Sequence, residues 1–261
     1  MGFADVGPLM MMLLPGAAAY ARVPVSRFRV GAVAAGMGSP VPDLYLGANL
    51  EFPGQALSFT VHAEQCAVNN AWLHGETGLR FIAVSAAPCG YCRQFLHELA
   101  TGQSLAVLLH QPDTLSPNSR LLPYFLPEAF GPRNLAVEGG LMQPQSNIVV
   151  LASSDSAVQS AIAAAENCYA PYTNNFAGAA LMAASGAIYA GRYAENAAYN
   201  PSMSPLESAF AAMNMALAPQ SPLPIRRAVL VEAPTAASQR DATMAVLASI
   251  APGITLEYFA A

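Results

Sequence analysis

Charged residues are scarce in this sequence. Lysine and arginine number 11 of 261 residues, aspartate and glutamate number 16, and charged residues make up 10% of the chain. A net charge of −5 with so few basic residues argues against a protein that binds polynucleotide phosphates, because such proteins gather Lys and Arg into a patch. The 54% of hydrophobic residues excludes a disordered chain. A small neutral ligand fits this composition better.

Cysteine and long apolar runs are also scarce. Four cysteines, two of them at Cys-x-x-Cys spacing, are too few for a disulfide framework. The apolar run from Leu9 to Leu14 follows Asp5 rather than a basic residue and ends at Pro15, so it makes a poor secretory signal. It is also far shorter than the roughly 18 residues of a membrane span. We therefore expect a reducing, cytoplasmic setting and no membrane partner.

The motif that carries chemistry is His62-x-Glu64, followed by Cys89-x-x-Cys92 directly after Pro88. One imidazole and two thiolates are ligands that tetrahedral zinc prefers. A structural zinc site closes with four protein ligands, whereas a catalytic site uses three and leaves a position for water. We predict one zinc ion per chain, bound by His62, Cys89 and Cys92, with Glu64 free to carry protons beside it.

Plainer interpretations of this motif remain open. A lone histidine is more often an ordinary, partly buried side chain, and Cys-x-x-Cys also occurs in redox pairs and in half of a zinc knuckle. A knuckle needs a fourth ligand. Spare ligand candidates, none of them at paired spacing, include Cys66, His74, His97 and Cys168. Tyr91 and Arg93, beside the cysteines, are expected at the surface or at an interface rather than in catalysis.

The flanking patterns predict that two helices begin at the ligands. Residues 62–74 show helical spacing of small apolar residues, and Pro88 is typical of a helix start after the apolar strand 81–86. A helix N-terminus and a metal both lower thiol pKa values, so both sulfurs are expected to be thiolates. Two helix N-termini should therefore converge on one ion.

Further segments extend the pattern along the chain. In order they are 20–28, 30–32, 47–52, 61–65, 88–94 and 129–132. With the His-x-Glu and Pro-Cys-x-x-Cys signature, these segments resemble cytidine deaminases of the two-domain, homodimeric, zinc-dependent type over most of the chain. The resemblance implies an α/β protein in which a three-layer α/β/α fold with mixed sheets occurs twice.

The resemblance also implies roles for individual residues. Asn49 and Glu51 would bind ribose, Phe28 would line the rim of the base pocket, Ala63 would contact the base edge, and Phe130 would cover the base in the other subunit of a homodimer. Side chains two apart on a strand face the same way. Solvated strand ends for the polar pair, and core or hinge packing for the two aromatics, are the plain alternatives.

The reaction implied by the resemblance is hydrolytic deamination of cytidine and deoxycytidine to uridine and deoxyuridine with release of ammonia, as in pyrimidine salvage. Glu64 would take a proton from water and pass it to the base. The substrate would be a small nucleoside and not a polynucleotide. A deaminase of another aminated nucleoside or RNA base and a non-catalytic zinc-binding interaction protein are the alternatives.

Residues from Asn147 onward repeat the first half without its ligands. Pairing by sequence sets 191–195 opposite 47–51, 205–207 opposite 62–64, and 233–238 opposite 87–92. It replaces the histidine by Pro205 and the cysteines by Thr235 and Ser238. A scaffold role is expected for this second copy.

The predicted organisation has four parts. They are a short helical lead-in at 1–15, a catalytic zinc deaminase domain at 16–112, a linker reaching the dimer interface at 113–146, and a degenerate non-catalytic repeat of the deaminase fold at 147–261. Longer members of the resembled family carry a larger helical extension at the N-terminus.

Overall fold

The chain forms two α/β halves of similar architecture, seen in a computed structural model that describes residues 3–111 and 114–261. The first half comprises α1 (Phe3–Ala18), β1 (Gly31–Ala35), β2 (Leu44–Ala48), α2 (Ala63–Leu73), β3 (Phe81–Val84), α3 (Gly90–His97), β4 (Ala106–Gln111), β5 (Thr114–Leu121) and α4 (Leu122–Phe125). The second comprises α5 (Ser156–Glu166), β6 (Ala177–Ala183), β7 (Ile188–Arg192), α6 (Pro205–Ala216), β8 (Ile225–Glu232), α7 (Arg240–Ile250) and β9 (Leu256–Ala260). Short 3-10 helices lie at Leu57–Phe59 and Pro132–Leu135.

Each half is built on one mixed sheet. The first sheet has the order β2-β1-β3-β4-β5, and the second has the order β7-β6-β8-β9. The pairs β3–β4 and β8–β9 are parallel, and the other neighbouring strands are antiparallel. The predicted duplication of an α/β fold with mixed sheets is confirmed.

The alternation of side chains along the strands creates three layers. On β1, Val33 and Ala35 pack with the outer helix α1, whereas Ala32 and Ala34 face the central core that holds α2 and α3. The second half matches this arrangement, because its outer helix α5 packs on β6 and β8 and its inner helix α6 joins the central core. Helices α2 and α6 meet there. The core is therefore continuous across the two halves.

The N-terminal helix is a full layer of the first half rather than a lead-in. It extends to Ala18, beyond the predicted 1–15, and buries Met10, Leu14 and Ala17 against the sheet. Its two internal prolines obscured this length in the sequence. Among the described residues, no helix has both the length and the apolarity to cross a membrane.

The predicted linker at 113–146 contains a strand. β5 pairs antiparallel with β4, with Ala106 opposite Leu121 and Leu108 opposite Ser119. An edge strand tolerates the polar and turn-forming residues that made this stretch look irregular. The first sheet thus gains a fifth strand that the second sheet, in its described residues, does not match.

Two glycines show which residues of the two halves occupy corresponding positions. A Cβ atom on Gly47 would lie 2.2 Å from the backbone nitrogen of Ala67, and one on Gly191 would lie 2.1 Å from that of Ala209. Each inner helix therefore sits on its neighbouring strand at a glycine, which lacks the atom that would collide. Ala67 of α2 corresponds to Ala209 of α6.

This register corrects the pairing by sequence at the metal ligands. The backbone N–H of His62 donates to Gln65 Oε1 at 3.0 Å, and that of Ser204 donates to Glu207 Oε2 at 2.8 Å. His62 and Ser204 each cap their helix. His62 thus corresponds to Ser204 and not to Pro205.

The same shift changes the partner of Glu64, which is Leu206 and not Glu207. The cause is a shorter connection in the second half. The bridged pair Leu50 and Val61 is 61 − 50 = 11 residues apart, whereas its counterpart Ala194 and Met203 is 203 − 194 = 9 apart. The second half therefore lacks the carboxylate as well as the ligands.

The second cysteine position also differs from the pairing by sequence. Cys92 lies within the first turn of α3, which begins at Gly90. Ser238 lies before α7, which begins at Arg240, and its Oγ donates to Glu232 Oε1 at 2.7 Å. Ser238, which lies before its helix, therefore does not correspond to Cys92, which lies inside one.

The corrected register predicts how Glu207→Gln changes stability. Burial raises the pKa of Glu207 to about 7, whereas the unfolded value is that of an ordinary carboxyl. A folded pKa above the unfolded one gives a stability contribution that is present at low pH and lost as pH rises from about 4.5 to 7. The variant has an amide, as Gln65 does at the corresponding position of α2, so its stability should not fall over this pH range.

In urea unfolding, the free energy of unfolding of the wild type should fall by roughly 2 to 3 kcal/mol relative to that of Glu207→Gln between pH 5 and pH 8. Glu138→Gln, at an exposed position, controls for the loss of one charge. Parallel stability curves for wild type and Glu207→Gln would contradict the prediction.

Candidate metal centre and active site

Two helices begin beside each other and present the three predicted ligands. His62 is the N-cap residue of α2, and Cys89 is the N-cap residue of α3, both with extended backbone angles. Cys92 follows in the first turn of α3. The convergence expected from the sequence is therefore present.

The distances between the donor atoms fit a tetrahedral zinc ion. His62 Nδ1 lies 3.5 Å from Cys89 Sγ and 3.2 Å from Cys92 Sγ, and the two sulfurs are 3.7 Å apart. Ordinary zinc bond lengths at a tetrahedral angle imply about 3.8 Å between two sulfurs and about 3.6 Å between sulfur and nitrogen. Among the described residues, these three form the one His, Cys, Asp or Glu cluster close enough to hold a metal. Residues and spacing both fit zinc.

The two thiols differ in acidity. A hydrogen bond with Cys92 lowers the pKa of Cys89 to about 5, and the backbone N–H groups at the start of α3 act in the same direction. That hydrogen bond and burial raise the pKa of Cys92. Cys89 is therefore the sulfur that ionises first in the metal-free protein.

A cavity of about 270 Å³ opens on this cluster. The predicted site residues that line it are Phe28, Asn49, Glu51, His62, Ala63, Glu64 and Cys89. Residues that sequence reasoning missed also line it: Val30, Thr60, Ala86 and Ala87. The missed residues are small or apolar ends of strands and connections, which carry no chemical signal of their own. A cavity of this size suits one small ligand.

Glu64 is buried in the wall of this cavity, with 4% of its surface exposed. Burial raises the pKa of its carboxyl above the usual range. It lies on the first turn of α2, two residues after His62. The carboxyl is thus placed beside the ligand cluster and shielded from bulk water.

Asn49 and Glu51 line the cavity and also hold neighbouring backbone. Asn49 Oδ1 accepts from Val30 N–H at 2.9 Å, and its Nδ2 donates to the Phe28 carbonyl at 2.9 Å. Glu51 Oε2 accepts from the N–H groups of Val25 at 2.8 Å and Ser26 at 3.0 Å. Each side chain therefore has a structural function.

Glu51 keeps a depressed pKa. Partial burial opposes the shift, but hydrogen bonds from Ser26 and Val25 stabilise the ionised form. The carboxylate therefore faces the cavity charged.

The two aromatics occupy different surroundings. Phe28 lines the cavity with 62% of its surface exposed, which excludes a core role. Phe130 is 46% exposed and is not among the residues that line the cavity of its own chain. Its carbonyl accepts from Gln94 Nε2 at 2.8 Å. The ring of Phe130 is thus on the surface of this protomer.

Replacing one sulfur should abolish stoichiometric zinc binding. Cys92→Ser removes a thiolate ligand, whereas Cys66→Ala removes a buried sulfur outside the cluster. Atomic absorption should find about one zinc per chain in wild type and Cys66→Ala, and far less in Cys92→Ser after dialysis. Equal zinc content in all three proteins would exclude Cys92 as a ligand.

Comparison with known proteins agrees with this geometry. The sequence matches the family description "Cytidine and deoxycytidylate deaminase zinc-binding region" over residues 8–107 and again over residues 122–244. A cytidine deaminase from Aeromonas salmonicida is 46% identical over 252 residues, which cover 96% of this chain and 82% of the relative. One from Yersinia pestis is 47% identical over 246 residues, which cover 93% of this chain and 80% of the relative.

Among solved structures, the cytidine deaminase from Mycobacterium tuberculosis is 32% identical, with a TM-score of 0.40, and its alignment covers 47% of this chain and 95% of that one. The family matches extend over both halves, and the sequence identity extends over nearly the whole chain. With one His and two Cys placed where they could hold zinc and a buried glutamate beside them, this chain belongs to the zinc-dependent cytidine deaminase family.

Proposed function

We propose that this protein hydrolyses cytidine and deoxycytidine to uridine and deoxyuridine with release of ammonia, a reaction of pyrimidine salvage. One observation carries the proposal: His62, Cys89 and the buried carboxyl of Glu64 line the same cavity of about 270 Å³, and the third donor, Cys92 Sγ, lies 3.2 Å from His62 Nδ1 and 3.7 Å from Cys89 Sγ. Three protein ligands leave a zinc ion with a position for water, which is typical of catalytic sites. When bound, zinc supplies a Lewis acid that makes water nucleophilic near neutral pH.

Glu64 is proposed to move the protons of the reaction. Its carboxylate takes a proton from the attacking water and delivers it to N3 of the pyrimidine as oxygen bonds to C4. The second proton of that water passes through the same carboxyl to the exocyclic nitrogen. The C4–N bond then breaks, ammonia leaves, and C4 keeps the oxygen as a carbonyl. Burial of Glu64 supports this role, because a raised pKa favours a carboxyl that both accepts and donates protons.

Asn49 and Glu51 are proposed to bind the sugar. Each already bonds to backbone through the atoms named above, so a ribose hydroxyl would use their remaining lone pairs and the second amide hydrogen of Asn49. Phe28 would pack at the rim beside the base, and the backbone of Ala63 would meet the base edge. The lining of one cavity by all four residues supports binding of a nucleoside.

Glu64→Gln should remove activity without removing zinc. The amide keeps the shape of the side chain but cannot accept a proton from water. We expect the ultraviolet loss of cytidine to slow by at least about 100-fold in kcat, the usual scale of general acid–base catalysis. Zinc content should be unchanged, and exposed Glu138→Gln serves as the matched control.

Two results would count against the proposal. Wild-type protein with one zinc per chain that leaves both cytidine and deoxycytidine intact would direct attention to other aminated nucleosides. Full activity of Glu64→Gln would exclude Glu64 as the proton carrier but would not contradict the proposed substrate.

We further propose a homodimer in which each cavity is completed by Phe130 of the other protomer. Support comes from the exposure of Phe130 and from its absence in the lining of its own cavity. In a two-fold symmetric dimer each contact occurs twice, so each Phe130 ring would cover the base bound in the partner.

Mixed dimers test this exchange. Glu64→Gln chains have no proton carrier, and Phe130→Ala chains would leave the partner's cavity uncovered. In a mixed dimer one cavity has an intact Glu64 and an intact partner Phe130, so we expect about half of the wild-type activity to return. Co-expressed chains with different affinity tags supply the sample. No gain above the parent variants would place Phe130 outside the partner's site.

We infer a reducing, cytoplasmic setting for this activity. The four cysteines are free, and metal binding requires Cys89 and Cys92 in the thiolate form, which an oxidising compartment would convert to a disulfide.

A further inference from the structure

One short segment of the second half, residues 196–201, contacts both ligand-bearing helices and is here called the bracing segment. Two of its contacts hold α3. Asn196 Nδ2 donates to the Gln94 carbonyl at 3.0 Å, and the Ala197 N–H donates to Glu98 Oε2 at 2.9 Å. Glu98 is fully buried at the C-terminal end of α3. The second half therefore contributes to the position of the helix that carries both cysteines.

A third contact reaches the ring of the histidine ligand. The Tyr91 hydroxyl donates to the Asn200 carbonyl at 2.5 Å. The Tyr91 ring stacks on the His62 imidazole, with 5.6 Å between ring centroids and 26° between planes. One side chain thus connects the bracing segment to the orientation of a metal ligand.

A fourth contact reaches the backbone of the same ligand. Gln65 Nε2 donates to the Pro201 carbonyl at 3.3 Å, and Gln65 Oε1 accepts from the His62 N–H at 3.0 Å. His62 is therefore linked to the bracing segment twice, through its ring and through its main chain.

The bracing segment is itself held in one conformation. The N–H of Asn196 donates to Ser202 Oγ at 3.0 Å, and the N–H of Ala198 donates to Asn196 Oδ1 at 2.9 Å. The Asn196 side chain is fully buried. A segment fixed in this way can transmit its position to the groups it contacts.

The relationship between the halves is not reciprocal. The first-half segment that corresponds to the bracing segment begins at Phe52. In the described part of the chain, its hydrogen bonding to second-half helices consists of the bond from Ser249 Oγ to the Pro53 carbonyl, at 2.9 Å. A ring contact between Phe52 and Phe210 accompanies it. Of the two corresponding segments, the one beside the metal ligands therefore makes more hydrogen bonds to the other half.

We propose that the bracing segment, acting through Tyr91 and Gln65, is the positioning element of the zinc site: it fixes the orientation of His62 and so sets zinc affinity. Groups that orient a metal ligand typically change metal affinity by 10-fold to 100-fold when removed. The proposal rests on the zinc site and not on the identity of the substrate. If the segment merely joined the two halves, its loss would lower stability and leave zinc affinity unchanged.

The test compares zinc dissociation constants, measured by competition with a chromogenic chelator, across a graded set of variants. Tyr91→Phe keeps the ring but loses the bond to Asn200, and we expect a several-fold weaker affinity. Tyr91→Leu also loses the stack on His62, and we expect affinity about 10-fold to 100-fold weaker. Tyr199→Phe, in the same segment at a residue that is 63% exposed, is the control and should bind zinc like wild type.

A second readout separates positioning from folding. Thermal unfolding of the metal-free proteins should be similar for wild type and Tyr91→Phe, whereas the stabilisation produced by zinc should be smaller in the variant. Cobalt-substituted Tyr91→Leu should show shifted ligand-field bands, because the imidazole is no longer held by the stack.

Wild-type zinc affinity in Tyr91→Leu would overturn the proposal. If that variant does not fold, Tyr91→Phe, which removes a single oxygen atom, decides alone, and unchanged affinity there overturns it. Neither readout depends on turnover, so failure of the proposed deaminase reaction and failure of this proposal are distinguishable.

Discussion

The convergence of two helix N-termini is the constraint on which the rest of the structure depends. The partial positive charge at the start of α3 favours a thiolate at Cys89, but two thiolates side by side repel each other, and burial makes ionisation of Cys92 costly. A divalent cation resolves both problems. This convergence requires α2 to sit close to its strand, which glycine at position 47 allows. The fold therefore brings the three donor atoms together at one point.

The use of His62 as a metal ligand deprives α2 of a side-chain cap, as comparison with the start of α6 shows. At the start of α6, Ser204 Oγ accepts from the Glu207 N–H while Glu207 accepts from the Ser204 N–H, so both groups of a capping box are satisfied. At the start of α2, the His62 ring is directed at the two sulfurs, and Gln65 supplies its side of the box. A missing side-chain cap typically costs about 1 kcal/mol. The bracing segment and zinc itself are the compensations that the first half offers.

Local motifs predicted which side chains the fold brings together, and the lengths of the connections limited the prediction. The candidate ligands, Glu64 and the pair Asn49 and Glu51, which lie just beyond the end of β2, were all recognised from short spacings, which do not require knowledge of tertiary structure. The repeat could be recognised from sequence, but its register at α6 could not. A connection two residues shorter moved Glu207 opposite Gln65, and counting residues cannot show where a loop has shortened. β5 escaped prediction because an edge strand needs no apolar alternation.

The second half keeps one feature of the site, a glutamate at the position that corresponds to Glu51. Glu195 Oε2 accepts from the N–H groups of Tyr172 at 2.8 Å and Thr173 at 3.2 Å, the same bonds that Glu51 makes in the first half. No metal ligand lies beside Glu195 in the described residues, so these bonds persist for the fold alone. The carboxylate therefore holds the turn before the first strand of each sheet. Binding a sugar would be a second task, possible only where a cavity opens beside it.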